Sequence, residues 1–203
     1  MQYKNKLNFL LMPLILMTAS CVHYVPAIYN TEREYHLPYS KGDSRLLIQG
    51  PNGIFSHRGR GFEFDFLMPI NTPILAAKGG VVLAVEDSFG KRCPLTKNCN
   101  VNFVAIQHGD GSIGRYLHIN QYSACVPSTQ NIEQGDIIAL SGNVGVSLLP
   151  HLHFEVLWPK DVEANPPSFI EVDHRGSGVP KTGRRYVSAN AIKIDHCKTL
   201  SRP

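Results

Sequence analysis

The clearest pattern in the chain is Phe62-Glu63-Phe64-Asp65-Phe66, where apolar and acidic residues alternate with period two. Such alternation marks a β-strand with the three Phe on one face and the two acids on the other. Gly80–Glu86 reads as a buried strand and Asn102–Gln107 as another. Ser112–Ile119 returns after the Gly109-Asp110-Gly111 turn, and Asp136–Leu140 and His151–Trp158 complete the set. Leu46–Gln49 and Ile54-Phe55, separated by Gly50-Pro51-Asn52-Gly53, carry a hairpin signal. Turn signals recur about every ten residues, and no amphipathic helix interrupts them. The expected fold is all-β: an antiparallel sheet or sandwich-like domain with few helices.

Composition supports a packed domain. Apolar residues are 43% of the 203-residue chain and charged residues 18%, which argues against a disordered chain. A formal charge of +4, dispersed along the chain, predicts no nucleic-acid partner. No apolar run reaches the roughly 18 residues that a membrane-spanning helix needs.

The first residues look like an address. Lys4 and Lys6 precede the mostly apolar stretch Leu7–Met17, and the small residues Thr18, Ala19 and Ser20 lead to Cys21. This order predicts a signal peptide over 1–20 whose end resembles a bacterial lipobox, with Cys21 lipidated. An ordinary signal peptide that happens to contain a cysteine is the plainer alternative. With Cys21 set aside, Cys93, Cys99, Cys125 and Cys197 remain, and four cysteines allow three pairings. An exported chain meets an oxidising space, so disulfides are expected, as Cys93–Cys99 and Cys125–Cys197. Residues 21–44 read as a lipid-anchored tether, 45–160 as the domain, and 161–203 as an extension packed on its edge.

Candidate chemistry sits on the strands. His151 and His153 share one face of His151-Leu152-His153-Phe154, while Leu152 and Phe154 pack behind them. Alone, this describes two solvated histidines as well as it describes a metal site. Asp65 is a poor strand former in a Phe-rich strand. His57 lies in a Gly-rich stretch that could simply be a solvated loop. His118 lies between Leu117 and Ile119; burial of both on the opposite face would turn it toward a groove.

Taken together and in this order, the residues from His57 to Val156 resemble the lysostaphin/LytM-like zinc metallopeptidases that cut peptidoglycan peptides. The resemblance spans roughly residues 46–158. It implies His57 and Asp65, before Asn71-Thr72-Pro73-Ile74, as two zinc ligands, and His153 of the His-Leu-His-Phe motif as the third. It implies His151, and His118 of the Tyr-X-His segment, as catalytic partners. Three departures stand out, the first being that Leu148-Leu149-Pro150 lacks the usual Gly before the Pro. His57 and Asp65 are farther apart than the family's commonest step, and Asn71 replaces the usual Gly, which Asn tolerates if left-handed. His108 reads as structural, and His23, His36, His174 and His196 as surface residues.

The resemblance also implies a mechanism. Two His and one Asp leave a fourth tetrahedral position for water, the arrangement of a catalytic zinc site. His118 and His151 would act on that water and on the developing oxyanion. The expected substrate is the peptide cross-link of peptidoglycan, D-Ala to diaminopimelate if the host is Gram-negative. The expected location is the outer membrane facing the periplasm, held by the N-terminal lipid; any protein adaptor is unknown. Rival readings are a ligand-depleted relative that activates cell-wall amidases, a non-haem Fe(II) site, and a structural lipoprotein.

Overall fold

The structure, a computed structural model, describes residues 34–57, 61–94, 97–160, 166–172 and 177–199. The signal segment, Cys21, His23 and His174 lie outside the described residues.

Eight strands form the main sheet: β1 (Ser44–Gln49), β2 (Phe62–Leu67), β3 (Gly80–Glu86), β4 (Phe103–Gln107), β5 (Ile113–Leu117), β6 (Asn131–Ile132), β7 (His151–Leu157) and β8 (Arg185–Val187). Their order is β8-β1-β2-β7-β5-β4-β3-β6, with every neighbour antiparallel. The expected all-β, antiparallel class is the observed one. The only α-helix among the described residues is the short α1 (His196–Thr199). Both expected disulfides are present, Cys93–Cys99 and Cys125–Cys197.

The period-two pattern of β2 and β7 does what it predicts. Phe64 and Phe66 of β2 and Leu152 and Phe154 of β7 are fully buried on one face of the sheet. Their rings pack with Tyr35 and Phe169, largely edge to face. Each fully buried Phe contributes about 1.5–3 kcal/mol, so this layer anchors the sheet. The other face carries Asp65, His151, His153 and Glu155 and floors a groove.

Two expectations need correction. Residues 34–44 are not a tether. Tyr35, Leu37 and Tyr39 have no exposed surface, and Glu34–Tyr35 pairs with Ser168–Phe169. Three large apolar side chains at alternate positions bury against the sheet, so the folded unit takes in the chain from Glu34. The expected hairpin after Gln49 does not form either. β1 pairs with β2 and β8, while Ile54 and Phe55 stand exposed at 80% and 76% in a loop.

Candidate metal centre

Asp65 lies at the middle of the site because register puts it there. It faces His153 directly across β2 and β7, and Leu117 of β5 faces His153 from the other side. His153 Nδ1 is 2.8 Å from Asp65 Oδ1. His57 arrives from the loop after β1, with its Nε2 3.1 Å from Asp65 Oδ2. His57, Asp65 and His153 each offer one ligand atom, all within 4.8 Å of one another. Three side chains scattered along the sequence therefore converge.

The donor set fits a divalent cation. The Gly50 carbonyl can only accept, so His57 Nδ1, 3.0 Å away, carries a proton. In the neutral ring Nε2 is then a lone pair, buried and lacking a well-aligned hydrogen-bond partner. It faces a carboxylate oxygen at 3.1 Å. Two acceptors at that distance need a cation between them. In the metal-free chain the cation is a proton. Burial lowers the His57 pKa, but the Asp65 hydrogen bond and charge outweigh it and the net direction is up. Burial would likewise raise the Asp65 pKa, yet hydrogen bonds from His153 and His57 hold it well below the usual carboxylate range. A carboxylate ionised between two imidazoles is a set of N and O donors suited to zinc.

His118 and His151 flank this group. Their ring centroids are 4.6 Å apart, and His118 lies 5.9 Å from His153 by the same measure. His118 Nδ1 donates to the Val144 carbonyl at 2.7 Å, and His151 Nδ1 to the Leu149 carbonyl at 2.8 Å. Both rings are thereby fixed as tautomers whose Nε2 is free to accept. Burial, helped by the nearby His151, pushes the His118 pKa down to about 3. Burial also lowers His151, against the charge of Asp65. Both are therefore neutral bases near pH 7.

The route by which His118 reaches the groove differs from the expected one. Of the two flanking residues expected in the core, Ile119 is fully buried but Leu117 lines the groove, and Tyr116 is the fully buried residue at the end of β5. Regular alternation would send His118 into the core beside Tyr116. Instead β5 ends at Leu117 and His118 adopts a left-handed backbone, φ 63°. Few non-glycine residues adopt that conformation, and here it redirects the imidazole. Asn71 is left-handed too, φ 65°, as its place in the turn requires.

The groove encloses about 1000 Å³. The loop carrying Phe55 and Ser56 lines it, as do Lys97, Asn98, Cys99, Val101 and Val146–Leu149. Sequence reasoning passed over Glu155 and Glu63, which face each other across β7 and β2 and are buried. Arg115 Nη1 bonds Glu155 at 2.8 Å. The alternation that places His153 on the groove face places Glu155 there as well, so this signal was available. Gln49 and Ser147 were also missed; Ser147 Oγ lies 3.2 Å from His151 Nδ1. His108 is structural, bonded to the Gly79 carbonyl. His36 and His196 are not free surface residues: they pair with the buried acids Glu171 and Asp136.

A family model, that of peptidase family M23, matches residues 59–166, which hold Asp65, His118, His151 and His153. The chain is 33% identical over 159 residues to the peptidoglycan DD-endopeptidase ShyA of Vibrio cholerae, covering 77% of this chain and 32% of that protein. It is 35% identical over 163 residues to ShyC, named likewise and from the same organism, covering 80% and 34%. The chain thus spans about a third of the length of these curated relatives. Among solved structures, a zinc-containing peptidase from Vibrio cholerae is 27% identical, with 60% of this chain and 37% of that one aligned at a TM-score of 0.43.

Proposed function

The chain belongs to peptidase family M23, and we propose that it is a zinc-dependent endopeptidase that hydrolyses peptide cross-links of bacterial peptidoglycan. One observation carries the reading. His57, Asp65 and His153 converge on a common point beside two neutral imidazoles, all opening on one groove. That set is complete, which supports the enzyme over a non-catalytic activator of amidases.

His57, Asp65 and His153 would hold the zinc ion. When bound, it would supply Lewis acidity toward the scissile carbonyl and an acidified water. The protein's part lies in placement and proton transfer. Asp65 supplies the negative charge of the ligand set. His118 and His151 each present an unprotonated Nε2, so either can take the proton of the attacking water and return it to the leaving amine. The Val144 and Leu149 carbonyls keep both rings in register with the groove while this happens.

The reading extends to the compartment. The chain would be exported and lipid-modified at Cys21, and would act at the outer membrane facing the periplasm. Two disulfides in the fold support an oxidising compartment. In a Gram-negative host the bond cut would join D-Ala to diaminopimelate; relatives named peptidoglycan DD-endopeptidases support an endopeptidase acting on peptidoglycan.

The test is digestion of purified peptidoglycan by the zinc-loaded chain, with mass analysis of the fragments. Cross-linked dimers should become monomers, and a chelator should stop the reaction. Dimers that persist undigested would overturn the proposal.

A further inference from the structure

His57 comes from the segment that follows β1, which leaves a structural question: what holds that segment so that His57 meets a strand residue? Gln49 ends β1 beside a register irregularity and faces Asp65. Its amide is buried and its bonds run in three directions. Nε2 donates to Asp65 Oδ2 at 3.1 Å and to Ser56 Oγ at 2.7 Å. Oε1 accepts from the Phe55 backbone N–H at 3.0 Å. The loop wraps this side chain closely, and a Cβ on Gly53 would lie 2.2 Å from Gln49 Cγ. Gly50, the next residue, gives the carbonyl that fixes the His57 tautomer.

We infer that Gln49 is a positioning residue of the metal centre. Its single amide ties the His57 loop, at Phe55 and Ser56, to the carboxylate of Asp65, and so sets the distance between two of the ligands. The chemistry requires an amide. A carboxamide can donate twice on one side and accept on the other, whereas a carboxylate can only accept. Groups that orient metal ligands typically influence metal affinity by about 10- to 100-fold.

The inference rests on the metallopeptidase reading, and its test separates the two. Zinc affinity is measured on the full chain by competition with a chromogenic chelator, and the melting of the metal-free chain by circular dichroism. Gln49→Met keeps the length and removes every bond. It should weaken zinc binding about 10- to 100-fold while the metal-free melting temperature stays within a few degrees of the parent. Zinc affinity of a folded Gln49→Met chain equal to the parent's would overturn the inference. Should Gln49→Met fail to fold, Ser56→Ala carries the test. It removes one hydrogen bond beside His57 and should weaken zinc about threefold, with unchanged affinity overturning the inference. A parent chain that binds no zinc would remove the metallopeptidase reading and this inference with it. A parent that binds zinc no better than the Gln49 variant would remove this inference alone.

Discussion

Asp65 Oδ1 accepts from His153 Nδ1 at 2.8 Å, and the two residues sit directly opposite each other on adjacent antiparallel strands. A cross-strand pair of this kind is rigid because both backbones are locked in the ladder. Two of the three candidate ligands therefore sit on paired strands inside the sheet, and of the three only His57 comes from a loop.

Loss of His153 should remove the metal. His153→Ala leaves two of the three donors, so bound zinc and hydrolysis should both fall to background. Metal analysis of the purified variant after dialysis checks this, and a full equivalent of zinc would contradict the assignment.

His118→Ala should separate binding from chemistry. Its Nε2 is not among the converging ligand atoms, so zinc content should stay near that of the parent. General acid–base groups contribute about 10²- to 10⁴-fold, and the turnover number should fall by that order. His151→Ala should behave alike, and a double variant should lose little more than either single one if the two act as a unit.

The metal-free chain should lose stability as pH falls below about 6.5, the ordinary His value. His118 keeps a folded pKa of about 3 because it is buried, so between these values the unfolded chain binds the extra proton and is favoured. Asp65, with its pKa depressed, adds a loss at still lower pH as it protonates. His57 acts in the opposite sense, since its raised pKa favours the fold at acid pH. Urea melts of the metal-free chain at pH 7 and pH 5 measure the slope. A His118→Gln variant should show a shallower one, and an unchanged slope would contradict burial as the cause.

The two disulfides should have different effects. Cys125–Cys197 ties α1 across a separation of 72 residues and lies away from the groove. Its replacement by serines should cost about 2–4 kcal/mol of stability with little change in turnover of the folded protein. Cys99 lines the groove, and Arg92–Cys93 pairs with Gly145–Val146, next to the Val144 carbonyl that holds His118. Replacing Cys93 and Cys99 should lower turnover more than stability. Steady-state rates and melting temperatures of the two double variants check both outcomes.

Much of the fold was legible in the chain because a strand's side-chain period is local. The Phe of β2 and the Leu and Phe of β7 fix which face is core, and so which face carries Asp65, His151 and His153. The limit shows at His118. Its groove position was expected from alternation, yet alternation alone would have buried it with Tyr116. One left-handed residue reverses the outcome, and period-two counting has no term for it.

The sequence by itself determined element type and core face, which follow from the chain's own spacing, whereas the candidate ligands came from a family resemblance and not from spacing. Tertiary structure alone decided that Tyr35, Leu37 and Tyr39 belong to the core. It also decided that the loop after Gln49 folds back onto Asp65 instead of forming a hairpin. The physical reason is the range of the interactions. Alternation is settled between neighbours, whereas burial of those side chains and closure of that loop depend on partners that only the register of distant strands brings near.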